Sequence, residues 1–427
     1  MRRNKLGILG LALLVAPVLG GCNNSRLTEI APYLYEVETY TKLDYKYANN
    51  YYATENDNWS GGGCSCITKM IGDKRITGRN MDLNISENCA YVVRTAVPEK
   101  YKTMGLQYTF RSISPKYKDV KKNGISRQWY KLLPFYQDDV MNEKGFHIEL
   151  NMRHGEYDPA GNDMFAVEST NPNGSMRVHM FELPIYIAQN CETIEEAKTY
   201  VNSLDIYSKN HYWNYCFIMA DATGKASLLE FSKDPLGLDE TVIHWIDEAD
   251  IIAKPKNLSK APFGDLNYHA LAQTNFYIND TAFLYQDTKS GFGRMQTMQN
   301  GIDAVQSKQD MYDLMKKVSF SNFYKDYDTC KNDFFDPRSE QIAEAPGLTS
   351  GFIYQDETTF KYLQNAYLAT VPTNKEEKRA ANIYWESTFT EVVDINEKSI
   401  FVRIYEDPNM EYLLTFDGFT KVNGIQD

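Results

Sequence analysis

Three consecutive glycines, Gly61-Gly62-Gly63, run straight into Cys64-Ser65-Cys66-Ile67, and Gly78-Arg79-Asn80-Met81-Asp82-Leu83 follows shortly after. Between them Gly72-Asp73-Lys74 is a turn-forming trio, so residues 65–71 and 75–79 are expected to pair as a β-hairpin. An arginine and an aspartate then arrive at the end of the strand that pairs with the cysteine strand. The glycines allow unusual φ values at the bond between Gly63 and Cys64, which suits attack of the thiol on the preceding carbonyl. A cysteine freed as a new N-terminus carries a nucleophile and its own base, because an α-amine titrates at about 8. A flexible linker would explain the glycines, but not a thiol in register with Arg79 and Asp82. A CxC metal site would need nearby His or Cys partners, and the sequence supplies none.

The chain opens with Met1-Arg2-Arg3-Asn4-Lys5 and an apolar run over residues 6–19, too short to span a bilayer. A basic start followed by such a run reads as a secretory leader. It ends in Leu19-Gly20-Gly21-Cys22, similar to a bacterial lipobox, so residues 1–21 are expected to be removed and Cys22 lipidated. The expected location is the bacterial cell envelope, at the outer membrane or the periplasmic face, with release after propeptide cleavage as an option. Of the seven cysteines, five remain once Cys22 and Cys64 are set aside, an odd number that implies no complete disulfide framework. Cys216, in an apolar run, reads as a plain buried residue. The net charge of −12 with no long basic run argues against nucleic acid, whose phosphates need a clustered cationic face.

Residues 22–63 read as tether and propeptide, with scattered helical periodicity over 28–47. Beyond Cys64 the pattern is rich in strands with helical interruptions. Residues 146–152 alternate apolar and polar as a half-buried strand. Residues 181–189 and 194–204 read as helices, the second with acids in its first turn. Strands at 215–220 and 225–231 flank the turn Asp221-Ala222-Thr223-Gly224, and residues 307–318 form an amphipathic helix. Strands return at 387–393 and 399–405. Strands, then helices, then strands imply an α+β layered domain.

Several blocks, in order, resemble the choloylglycine hydrolase family of N-terminal-nucleophile (Ntn) amidases, which includes bile salt hydrolase, penicillin V acylase and, more distantly, acid ceramidase. After the Cys64 and Arg79 stretch come Met141-Asn142-Glu143-Lys144-Gly145-Phe146, with Leu150-Asn151 on the next strand, and the hairpin FIMADATGKASLLE from Phe217 to Glu230. Thr274-Asn275-Phe276, Gly293-Arg294-Met295 and Ser387-Thr388-Phe389-Thr390 with Ile400-Phe401-Val402 complete the series. The resemblance implies a four-layer αββα sandwich over residues 64–427. It also implies Cys64 as nucleophile with Cys66 as rival, Arg79 beside the thiolate, and Asp82 as acceptor for the α-ammonium. Asn275 would serve the oxyanion or orient the amine, Asn151 would give a second oxyanion bond, and Arg294 would complete the polar network. An arginine following Asn151, as Arg153 does, resembles the acid-ceramidase-like variant.

No HExxH, triad or P-loop spacing appears, so no cofactor or metal is expected. The function expected is cleavage of a linear, non-peptide C–N amide with an apolar acyl group, such as a conjugated bile acid, an N-acyl amine or a penicillin V-like substrate. An acyltransferase or N-acyl homoserine lactone acylase on the same site is the alternative within the class, and a tethered binding lipoprotein without chemistry the alternative outside it. The partners expected are the small-molecule amide and, through the lipid, a membrane; a homo-oligomer stays open.

Overall fold

In the computed structural model two β-sheets lie face to face, and each carries helices on its outer side. The structure describes residues 25–425 except 41, 55–61, 85–88, 109–116, 136, 155–166, 209–212, 235–237, 261–263, 286–290, 326, 332 and most of 334–384. The expected leader, Cys22 and the stretch Asn58-Trp59-Ser60-Gly61 lie outside the described residues.

The first eight strands in chain order are β1 (Ser25–Ala31), β2 (Leu34–Thr39), β3 (Gly62–Ile71), β4 (Lys74–Asn84), β5 (Ala90–Thr95), β6 (Thr103–Tyr108), β7 (Asp139–Asn142) and β8 (Phe146–His154). A nine-stranded sheet runs in the order β1, β2, β5, β6, β7, β8, then Trp213–Asp221, Ala226–Asp234 and Leu238–Asp247. The seven-stranded sheet runs Ala272–Gln273, β3, β4, Trp385–Asp394, Ser399–Ile404, Glu411–Thr415 and Gly418–Lys421. Among the described residues, neighbours in these two sheets pair antiparallel except β2 with β5.

Period-two alternation decides which side chains meet which layer. In the Trp213–Asp221 strand, Tyr215, Phe217 and Met219 join a cluster with Leu183, Ile187 and Val201 of the Leu183–Ala188 and Ile194–Asn202 helices. Their neighbours Cys216, Ile218 and Ala220 belong instead to the cluster that includes Cys64, Cys66 and Ile67 of the other sheet. The helices Phe292–Ile302 and Lys308–Lys317 cover the far side of the seven-stranded sheet. Gly78 of β4 leaves room for the second of these: a Cβ there would meet Met315 Cγ at 2.6 Å. The layer order is helix, sheet, sheet, helix, the α+β sandwich expected.

Local signals explain several elements. Ser307 caps its helix by accepting from the Asp310 amide at 3.1 Å, and Thr193 does the same for Glu196 at 3.3 Å. In the Asn142-Glu143-Lys144-Gly145 turn, Asn142 Oδ1 accepts from the Lys144 and Phe146 amides, both at 2.9 Å, and Gly145 sits at φ +83°. The expectation for residues 28–47 needs correction: half of that span lies in β1 and β2, and a helix begins only at Tyr45 (Tyr45–Thr54). Leu34, Tyr35 and Val37 are buried as β2 runs parallel to β5, a partner some fifty residues away that helical periodicity cannot register.

Candidate active site

Cys64 lies within β3, opposite Met81 of β4, and the chain runs unbroken through Gly63. Residues directly opposite on paired strands share a face, so Cys64 and Cys66 look the same way as Met81 and Arg79, into the space between the sheets. Gly63 and Ser65 share the other face with Asp82 and Asn80, toward the Phe292–Ile302 helix. The two faces divide the chemistry. The thiol and Arg79 sit on one side, and the groups around the amide of Cys64 on the other.

The amide side is a closed network. The Cys64 backbone N–H donates to Asn275 Oδ1 at 3.2 Å. Arg294 donates from Nη2 to the same Oδ1 at 2.8 Å, and from Nη1 to the Cys64 carbonyl and to Ser65 Oγ, each at 3.0 Å. Two donors converge on Asn275 Oδ1, which leaves its Nδ2 to donate, and it does so to the Met152 carbonyl at 2.7 Å. Asp82 lies 3.5 Å from Arg294 Nη1 and accepts from Ser387 Oγ. Burial pushes the Asp82 carboxyl up to about 7, with Arg294 and Ser387 pulling against it. Gly63 fits here because it lacks a side chain: a Cβ would stand 3.3 Å from Arg294 Nη1 and 3.4 Å from Asp82 Cβ.

Arg294 is held in turn by Asp333, whose Oδ2 takes its amide at 3.3 Å and its Nε at 3.4 Å, while Oδ1 takes the Gly291 amide at 3.0 Å. The loop following Asn275 is pinned by Glu230, which accepts from the amides of Ile278 (3.0 Å) and Asn279 (2.9 Å) and from Asn279 Nδ2 (2.8 Å). Arg153 completes that carboxylate's partners and lies 4.3 Å over the Tyr277 ring.

On the thiol side, Cys64 is only 2% exposed. Burial pushes its thiol up to about 11, while Arg79 and the Met152 backbone amide pull it down. Arg79 is fully buried and donates to the Leu150 carbonyl at 2.6 Å. β7 stops pairing with β8 at Glu149, so the next carbonyls of β8 are open, and Arg79 and Asn275 take those of Leu150 and Met152. Asn151 lies between these two carbonyls. Leu150 and Met152 face the helices, so its side chain faces the other sheet, and neither its Nδ2 nor its Oδ1 has a hydrogen-bond partner among the described residues.

The expected residues Cys64, Asp82, Asn275 and Arg294 therefore meet directly. Arg79 and Asn151 stand on the thiol side of the same centre. Arg294 does open a helix, yet it is buried rather than on the surface. Cys66 is also buried, and burial with Glu149 beside it drives its thiol well up. No disulfide joins any two of the six described cysteines. Sequence reasoning missed Asp333, Glu230, Glu149, Glu391 and His147, and placed Ser387 only as a strand residue. Glu149 and His147 carried a signal, as the polar half of the alternating strand, but nothing local marks the others. The two described clefts, about 570 and 400 Å3, are lined elsewhere, around Tyr33 and Tyr412 and around Asp394 and Leu413.

Residues 64–244 match the model of the linear amide C-N hydrolases, choloylglycine hydrolase family. The chain is similar in structure to a mutant of the conjugated bile acid hydrolase from Clostridium perfringens, with 11% identity, TM-score 0.40 and coverage of 85% of this chain and 97% of that one. Penicillin V acylase from Agrobacterium tumefaciens is similar at 12% identity and TM-score 0.37, over 82% of this chain and 86% of that one. No curated protein matches the chain by sequence.

Proposed function

We propose that this chain frees Cys64 as its N-terminus and uses it to hydrolyse a small linear amide with an apolar acyl group. The observation that carries the reading is the grip on Cys64 from its main-chain side: Asn275 holds its nitrogen, Arg294 its carbonyl, and Asp82 lies beside the bond to Gly63. In self-processing, Cys64 Sγ attacks the Gly63 carbonyl carbon, the nitrogen leaves with a proton, and water cleaves the resulting thioester. The products are a carboxylate at Gly63 and an amine at Cys64.

The freed amine then takes the thiol proton. The thiolate attacks the substrate carbonyl, and the amine passes its proton to the departing nitrogen. Water, deprotonated by the same amine, releases the acid from the acyl-enzyme. Asn275 Oδ1 keeps the amine aimed, and Arg79 offsets the charge on sulfur. Asn151 Nδ2, buried and without a partner among the described residues, serves the oxyanion together with the Met152 amide. The expected export and tethering through Cys22 belong to the same proposal, with residues 1–21 as leader and 22–63 as tether and propeptide.

Intact-mass analysis should find a chain beginning at Cys64. A panel of glycine- and taurine-conjugated bile acids, penicillin V and N-acyl ethanolamines should show turnover that Cys64→Ala abolishes. An active protein still joined to Gly63 would overturn the processing step. Turnover of none of these, with acyl transfer to an added amine instead, would favour the acyltransferase.

A further inference from the structure

Beneath Cys64, between the sheets, Arg79 stands in a buried set of ionisable side chains whose other members the amide chemistry does not use. Arg79 Nε stands 3.8 Å from Glu149 and its Nη1 3.6 Å from Glu391. His147 bonds Asp139 through Nε2 at 2.8 Å, and its Nδ1 lies 3.7 Å from Glu149. All five residues are fully buried. Both Glu149 oxygens lack hydrogen-bond donors among the described residues, as do both Glu391 oxygens. Cys66 approaches Glu149 from β3, and Cys64 and Asp138 lie within electrostatic reach of the same centre. Asp139, His147 and Glu149 offer ligand-type atoms within 4.8 Å of one another, but Arg79 already sets a positive charge there.

We propose that Glu149 is a positioning residue for the thiol chemistry: by gaining or losing a proton it decides how much of Arg79's charge is left for the Cys64 thiolate. The inference rests on the Cys64 reading above. The charge count supports it. Burial and the neighbouring carboxylates push Glu391 well up, so it is held neutral, whereas Asp139 overrides the burial of His147 and keeps it cationic. Arg79 and His147 then face Asp139 and Glu149. With Glu149 ionised the buried set is neutral. With Glu149 protonated it carries one net positive charge, on the Cys64 side, where a thiolate is stabilised. Burial raises Glu149 to about 7, so the exchange falls in the working range.

The sign follows. As pH rises through about 7, Glu149 ionises, cancels Arg79 and pushes the Cys64 thiol upward. Glu149→Gln holds the uncharged form at every pH and should lower the apparent pKa of Cys64, whereas Glu149→Asp keeps the charge.

The test is iodoacetamide alkylation of Cys64 in the mature protein, followed from pH 5 to 10 by peptide mass, alongside thermal melts. A shift of one pKa unit is a tenfold change in thiolate, so Glu149→Gln should approach a tenfold faster alkylation near pH 8.5, where the parent's Glu149 is almost wholly ionised, with Glu149→Asp close to the parent. An unchanged or slower profile in a Glu149→Gln protein that melts normally overturns the proposal. If that variant does not fold, the parent's own profile decides: ionisation of Glu149 must flatten the rise of the alkylation rate with pH near 7, and a rise of tenfold per pH unit straight through that range overturns the proposal. A charge-dependent profile at Cys64 in a protein that cleaves no amide upholds this inference and sinks the amidase reading. An essential Cys64 indifferent to Glu149 does the reverse.

Discussion

Gly291 touches no reacting atom, yet the site geometry depends on it, and Gly291→Ala measures that dependence. Its φ is +80°, in the left-handed region, where an L side chain costs about 1–2 kcal/mol. A Cβ there would lie 2.7 Å from Thr274 Cβ, 2.8 Å from Thr274 Oγ1 and 2.9 Å from Arg294 Nη2. Relieving such contacts in a filled interior costs roughly 1–3 kcal/mol more, for a total of about 2–5 kcal/mol. The two displaced neighbours are the residue before Asn275 and the arginine that holds the Cys64 carbonyl, so the damage is aimed at the site. Misplacing such groups by about 1 Å costs on the order of a hundredfold in turnover. Urea melts should show the stability loss, and single-turnover assays slower processing and hydrolysis. Gly72→Ala is the control: its φ is +62° with nothing within 4 Å, so it should show the conformational cost alone and full activity. If Gly291→Ala matched that control in both assays, the claim that Gly291 seats Arg294 and Thr274 would be refuted.

Cys64→Ala should abolish processing and hydrolysis, whereas Cys66→Ala should process and turn over while losing about 1 kcal/mol or more of stability for the cavity it leaves, read from melts. Asn275→Ala should cost roughly a hundredfold in turnover and also destabilise, because it orphans Arg294 Nη2 and the Met152 carbonyl. Asn151→Ala should cost turnover while breaking no hydrogen bond among the described residues, so its melting temperature should fall far less than that of Asn275→Ala, and an equal fall would contradict that placement. Asp82, raised by burial from 3.8 to about 7, holds a proton in the folded chain that the unfolded chain has released. Its contribution to stability is therefore full below about 4 and lost as pH rises through 7. Melts at pH 5 and 7.5 on the uncleaved Cys64→Ala protein should show that slope, and adding Asp82→Asn should remove it.

Much of the fold could be read locally because its causes are local. The Asn142 side chain closes its own turn, Asp221 Oδ1 accepts from the Thr223 amide at 2.9 Å, and Ser307 caps the helix that follows it. The β3–β4 hairpin was legible from Gly72-Asp73-Lys74, and with it the placing of Cys64 near Arg79 and Asp82. Alternation in β8 was equally plain, but alternation says only that two faces differ. The polar face was expected to be open; instead the second sheet covers it, and His147, Glu149, Asn151 and Arg153 are all buried. Asp333 and Glu391 became legible only in three dimensions, since each reaches Arg294 or Arg79 across a long stretch of chain. The same holds for β2, whose partner is set by the sheet and not by any nearby residue.

That parallel strand gives the bond before Cys64 an unusual status. β2 is interior, flanked by β1 on one side and by six paired residues of β5 on the other. Arg94 of β5 clasps Glu36 and Glu38, and the Tyr33 carbonyl takes the Tyr405 hydroxyl at 3.0 Å and the Ala90 amide at 2.8 Å. Severing the chain after Gly63 would therefore divide the polypeptide without dividing the molecule. The product would be a two-chain protein in which a peptide supplies two of the nine strands. A lipid on Cys22 would then serve as a mooring whose strength is that of the sheet, and the hydrolase would leave the membrane only by unravelling its own edge.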